Sequence, residues 1–126
     1  VNTNDSTSNT APLIDFDQLD SACDGDVGLK RELMGMYFGQ ADQIMAGLRK
    51  ALDAASIDDV NHLSHKLAGS SLACGLSVIV PSLRRMEHGA KEGHLNGAEA
   101  SMAEAVAALA ALRQAVQEHL SQLPMS

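Results

Sequence analysis

The chain has 126 residues, 45% of them hydrophobic but only 2% aromatic, and its formal net charge is -7. That length makes one domain with a genuine core and no need of disulfide or metal staples. The acidic balance argues against nucleic acid or anionic lipid as the main partner, and no apolar run approaches the roughly 20 residues needed to span a bilayer. With no Trp, one Tyr and two Phe, the core must be built from Leu, Ala, Met, Val and Ile, which suits helices packed at close range.

Residues 1–12, VNTNDSTSNTAP, are polar and are expected to form a flexible linker, leaving 13–126 as a helical domain. LIDFDQLD follows, a short helix that would lay Leu13, Ile14, Phe16 and Leu19 over one end of the molecule. Asp24-Gly25-Asp26 breaks it, and Asp26 is placed to cap the next helix. From about 27 to 53, apolar residues recur at Leu29, Leu33, Met36, Tyr37, Ile44, Leu48 and Leu52, the stripe of a long amphipathic helix. Ser56 with Asp59 resembles a capping box and starts a helix that Gly75 closes. Ser77 is the expected cap of the next, with Pro81 confined to its first turn and Gly93 at its end. Asn96 is the expected cap of the last helix, where Leu95, Met102, Leu109, Val116 and Leu123 fall seven apart, interleaved with Ala98, Ala105 and Leu112. No segment alternates as a strand does. The fold class is all-α: an antiparallel four-helix bundle with a short additional N-terminal helix.

Cys23 and Cys74 form no recognisable framework, and Cys74 falls on an apolar stripe, so it reads as a buried free thiol in a reducing compartment. No basic segment followed by an apolar stretch marks a secretory signal, and a cytoplasmic location is expected. The chain starts at Val1, has a linker-like beginning and stops at Ser126, which fits a domain at the end of a longer protein.

The helix after Ser56 carries the most informative residue. Val60, Leu63, Leu67, Ser71 and Cys74 define its apolar face, and His65 points roughly 170° away from the centre of that stripe. Gly69 lies one turn further on. A glycine inside a helix costs about 1 kcal/mol relative to alanine, so its presence asks for a reason, and bare backbone beside an imidazole gives a bulky group room to reach the ring. Asn61, Ala68, Gly69 and Leu72 share the outward face, with His62 and Lys66 flanking it. Ala68, Gly69 and Leu72 make a small flat apolar strip beside a titratable ring, a surface suited to docking another protein. Neutral imidazole has one nucleophilic nitrogen, and phosphoryl transfer needs an in-line nucleophile together with cations for the moving charge. No carboxylate cluster for Mg²⁺ and no glycine-rich nucleotide loop is visible, so no bound cofactor is expected, and metal and leaving group must come from a partner.

HKLAGSS at 65–71, then Gly75, then a helix with Leu83 and Met86-Glu87, resembles the histidine-containing phosphotransfer (HPt) domains of two-component phosphorelays. The resemblance covers roughly residues 13–123. It implies that His65 is the phospho-acceptor, that Gly69 opens access to it, that Ser70 and Ser71 lie at the helix packing surface, and that Glu87 is a polar residue near the ring. One departure stands out. The family usually has lysine three residues after the histidine, and here that position is Ala68; Lys66 on the same helix, or Arg84 or Arg85 on the next, would have to supply positive charge. The supporting residues expected are therefore Lys66, Gly69, Ser70, Arg84 and Glu87, and the docking residues Asn61, His62, Ala68 and Leu72.

The resemblance implies a relay shuttle without kinase activity of its own. It would take a phosphoryl group from the aspartyl phosphate of one receiver domain, in a response regulator or hybrid histidine kinase, and pass it to another, Mg²⁺ being supplied by the receiver. A monomer touching neither nucleic acid nor membrane is expected. Two alternatives stay open: the substrate domain of a chemotaxis-type kinase, and an adaptor that binds a receiver without carrying phosphate. His62 and His65 are spaced as metal ligands can be, but no third ligand shares their face, so no metal site is expected. His88, His94 and His119 read as solvated or helix-end residues, and Arg84, Arg85 and Glu87 are equally readable as a solvated face.

Overall fold

The computed structural model describes residues 13–124; the linker expected at 1–12 lies outside the described residues. All regular structure among them is helical: α1 Phe16–Ala22, α2 Val27–Asp53, α3 Ile57–Ala73, a 3₁₀ turn Ser77–Ile79, α4 Val80–Lys91 and α5 Ala98–Ser121. The helices begin and stop for local reasons. Asp15 accepts from Gln18 N at 3.1 Å and starts α1, and Asp26, the cap expected from the sequence, accepts from Leu29 N at 2.8 Å and starts α2. Ser56 precedes α3 without a side-chain cap bond, so the expected capping box does not form. The cap of α5 is Gly97, in the left-handed region, rather than Asn96. Ser77 opens a 3₁₀ turn, and α4 follows with Pro81 in its first turn, where its missing N–H costs nothing.

Four helices end in the same device. The N–H two residues past the cap turns back onto the carbonyl five residues earlier: Gly25 to Asp20 at 2.9 Å, Ser56 to Ala51 at 2.8 Å, Leu76 to Ser71 at 2.8 Å and His94 to Gly89 at 3.0 Å. The pivots are Asp24, Ala55, Gly75 and Gly93, all with positive φ. Gly75 is needed twice over. Its φ is +77°, and a Cβ there would collide with the Asp15 carbonyl oxygen, while its own carbonyl receives the Asp15 N–H at 2.7 Å. This is how α1 is seated on the end of α3, helped by Gln18 Nε2 donating to the Ala73 carbonyl at 3.0 Å.

Helix α3 packs against α2 on one flank and α4 on the other, α4 packs on α5, and α5 returns to α2. One continuous core runs from Ile14 and Leu19 through Met34, Leu48, Leu67, Leu83 and Met86 to Leu109, Leu112 and Val116. The heptad positions of α5 are buried where the sequence puts them, at Met102, Ala105, Leu109, Leu112 and Val116, and Ala98 with them. Not every apolar residue of the α2 stripe joins the core: Leu29 and Met36 are exposed. Cys23 and Cys74 are both buried free thiols, and burial pushes the Cys74 thiol up from its usual value. No helix among the described residues is long and apolar enough to cross a membrane.

Candidate functional site

Helices α3 and α4 make the most extensive helix–helix contact of the fold, and both bury small residues: Ser64, Ala68 and Ser71 on α3, and Ser82, Gly89 and Ala90 on α4. Burying serines is possible because each closes its hydroxyl on its own helix: Ser64 Oγ donates to the Val60 carbonyl, Ser71 Oγ to Leu67 and Ser82 Oγ to Ile79. Ser71 Oγ also receives the Tyr37 hydroxyl at 2.7 Å, tying α2 to α3; burial raises the Tyr37 phenol, and this bond works in the opposite direction.

These buried serines change where His65 stands. The buried positions of α3 are Val60, Ser64, Leu67, Ala68 and Ser71, so the buried arc is rotated toward α4 relative to the stripe drawn through apolar residues alone. Ala68, expected on the outward docking strip, is instead 0% exposed and takes no part in it. The reason is the close approach of α4, which covers that flank. His65, about 60° round the helix from Ala68, sits at the rim between buried arc and solvent rather than opposite the core. Its side chain is 66% exposed.

From that rim the ring meets α4. His65 Nδ1 lies 2.6 Å from Glu87 Oε2. Glu87 is only 5% exposed, and a buried carboxylate needs partners to stay charged. It has them: Arg84 Nη1 donates to its other oxygen at 2.8 Å, and Lys91 Nζ stands 3.6 Å from Oε2. Burial by itself raises the Glu87 carboxyl, but the hydrogen bonds from Arg84 and His65, and the charges behind them, outweigh it and hold the group below the usual carboxylate range. An ionised carboxylate only accepts, so Nδ1 carries the proton of this bond. In a neutral ring Nε2 then holds the lone pair.

Gly69 leaves open space where a Cβ would stand, in keeping with cleared access to the ring. Leu72 is exposed, His62 is exposed and Asn61 is half-buried, so these three remain available on the outer surface. Ser70 does not approach His65. Its hydroxyl donates to Gln40 Oε1 of α2 at 3.2 Å, on the opposite flank from Glu87, and its contribution is to helix packing. Lys66 is exposed and makes no ion pair among the described residues; it lies about 100° from His65, away from α4. Of the two arginines on α4, only Arg84 faces the site, for Arg85 pairs with Glu104 of α5. Lys91, which sequence reasoning passed over, and His88, which it read as a solvated or helix-end residue, line a shallow cleft with His65, Arg84 and Glu87. Their signal was present as the spacing 84, 88, 91, one face of a helix with Glu87 inside it. On α2, Met36, 68% exposed, lines a groove with Leu33, Gln40, Ser70 and Ala73 along the other flank of α3.

The Hpt domain family model matches residues 32–122, most of the chain and all of the helices that build the site. The chain therefore belongs to the Hpt domain family, and its function is phosphotransfer in two-component signalling. Hpt domains are phosphocarriers rather than autonomous kinases, and they interact with receiver domains in phosphorelays. Among solved structures, that of histidine-containing phosphotransfer protein B (HptB) from Pseudomonas aeruginosa PAO1 is similar, with a TM-score of 0.83 at 20% identity over 90% of this chain and 99% of that one. At that identity the likeness speaks for the fold. No curated protein matches this chain in sequence.

Proposed function

We propose that this chain is a phosphorelay intermediate that accepts a phosphoryl group on His65 Nε2 from the aspartyl phosphate of one receiver domain and passes it to an aspartate of another. The single observation that carries this reading is the pairing of an exposed imidazole with a buried, ionised carboxylate: Nδ1 is engaged by Glu87 at 2.6 Å while the ring stays 66% exposed. The nitrogen left over is the one that faces the partner.

The chemistry follows from that arrangement. Nε2 attacks phosphorus in line, the N–P bond forms, and the P–O bond of the acyl phosphate breaks to release the receiver's carboxylate. The ring gains a positive charge, with the proton still on Nδ1, and the Glu87 carboxylate beside it offsets that charge without reorganising. In the return direction neutral imidazole is the leaving group, again with Nδ1 protonated. Glu87 lowers the barrier both ways, as a reversible carrier requires. Mg²⁺ belongs to the receiver in this scheme, and the chain itself binds no cofactor.

Docking would use Asn61, His62, Gly69 and Leu72 around the ring, extended by the exposed Met36 and the groove beside it. The scaffold is read as an antiparallel four-helix bundle spanning residues 13–126, and its cyclic contacts, α2 to α3 to α4 to α5 and back to α2, support that. The domain would act as a monomer in the cytoplasm. The test is incubation with a receiver charged by a small phosphodonor. The label on this chain should survive base, be lost in acid and vanish in His65→Gln. A label that persists in that variant overturns the assignment to His65. Binding of the receiver with no transfer at all would establish instead an adaptor without phosphate.

A further inference from the structure

We propose that Arg84 and Lys91 of α4 form the anion subsite that holds the phosphoryl oxygens on His65, taking across the helix interface the role that α3 leaves unfilled. The inference rests on His65 being the phospho-acceptor and adds to it the source of the positive charge.

Helix α3 cannot provide that charge beside the ring. The position three residues after His65 is Ala68, fully buried against α4, and Lys66 stands on the far flank. Helix α4 can. Arg84 and Lys91 are two turns apart on one face, with Glu87 between them, and both line the cleft that His65 overlooks. Their heads are accessible, the side chains being 41% and 61% exposed, while the Glu87 side chain beneath them is 6% exposed. Arg84 commits Nη1 to Glu87 Oε1, and a guanidinium has five N–H donors in a planar fork suited to phosphate. Lys91 stands at 3.6 Å from Oε2, within reach of a nearby anion by rotation about its flexible stem.

The charge count favours an incoming anion. The residues lining the cleft carry one carboxylate, Glu87, and two cations, Arg84 and Lys91. On a chain of net charge -7 this is a local excess of positive charge at an exposed ring that a buried carboxylate orients. Glu87 would otherwise repel a dianionic group attached to the same imidazole. With two cations beside it, the carboxylate can stabilise the charged ring while its own field toward the phosphoryl group is neutralised. His88 also lines the cleft, but its Nε2 lies 3.2 Å from Glu92 Oε2, so it adds no unopposed charge.

The experiment uses the whole chain phosphorylated in two ways, by a charged receiver and directly by phosphoramidate, with phosphohistidine followed by ³¹P NMR. Arg84→Ala and Lys91→Ala should each lower the phosphorylated fraction at equilibrium about threefold, and the double variant about tenfold, as expected for partly exposed charge-assisted contacts. The titration midpoint of the phosphoryl group should move to higher pH in the double variant, a change that loss of packing would not produce. Arg84→Lys should recover most of the fraction. Arg85→Ala, whose partner is Glu104, should match the parent. If phosphohistidine forms on His65 but the double variant keeps the parent's fraction and titration midpoint, the subsite is wrong and the relay reading stands. If no phosphohistidine forms on His65 in the parent by either route, both fall.

Discussion

At the scale of single residues, the site turns on one buried carboxylate. Glu87 would be costly in the core without Arg84, Lys91 and His65, and its presence fixes the tautomer of the ring it touches. Glu87→Gln keeps an acceptor for Nδ1–H but removes the charge that offsets the imidazolium. Transfer should slow about tenfold, as for loss of one preorganised electrostatic contact, while the label stays on His65; stopped-flow or quench measurements of the transfer rate would check this. The depressed Glu87 carboxyl also has a consequence for stability. Its folded value lies below its unfolded one, so its contribution is fully present above the ordinary glutamate range and is lost as pH falls through the folded value. The difference in melting temperature between the parent and Glu87→Gln should therefore shrink on acidification below about pH 4.

At the scale of elements, the turns are as specific as the helices. The α2–α3 connection pivots on Ala55 at φ +53°, where a Cβ is disfavoured, whereas the equivalent pivots after α3 and α4 are glycines. The Ser56–Ala51 bond that depends on this geometry is already made at 2.8 Å. Ala55→Gly should then relieve the strain and stabilise the fold by about 0.5–1 kcal/mol after the added entropy of the unfolded chain is allowed for, read from urea melts. These turns were legible in outline, because Gly75 and Gly93 are glycines in the expected places. The pivot at Ala55 was not, because nothing in an alanine marks a left-handed turn. The missing caps at Ser56 and Asn96 are the converse case: residue types with the right chemistry that the local backbone does not use.

At the scale of the whole molecule, the end far along α5 is held by a second polar cluster. Lys30 of α2 is buried, with Asp20 of α1 at 2.6 Å and His119 of α5 at 3.1 Å. Arg31 Nη2 donates to the Leu120 carbonyl at 2.9 Å, and Phe16 of α1 packs its ring 4.7 Å from that of His119. An ammonium only donates, so His119 Nε2 accepts and is unprotonated in the folded state. Burial lowers the affinity of His119 for a proton, Lys30 lowers it further, and Asp20 acts the other way. The unfolded chain therefore binds this proton first, and the stability that neutral His119 contributes is present above about pH 6.5 and lost as pH falls below it. Thermal melts between pH 7.5 and 5.5 should show a decline that is shallower in His119→Gln. A residue that reads as a solvated helix end in the sequence thus joins three helices, because its partners come from positions about 90–100 residues away along the chain.

The linear chain was enough to determine what each helix does within itself. Where it begins at Asp26, where it ends at Gly75 or Gly93, and that His65 reaches solvent while Leu67 does not, all follow from residue types spaced along one rod. Packing alone decided the rest. Which flank of α3 would be covered depended on serines that bury themselves by bonding to their own backbone, and that rotation hid Ala68 and brought Glu87, Arg84 and Lys91 to the imidazole. Helical periodicity describes a residue's direction from its own axis; the charge it meets there belongs to a neighbour whose distance and rotation exist only once the core has closed.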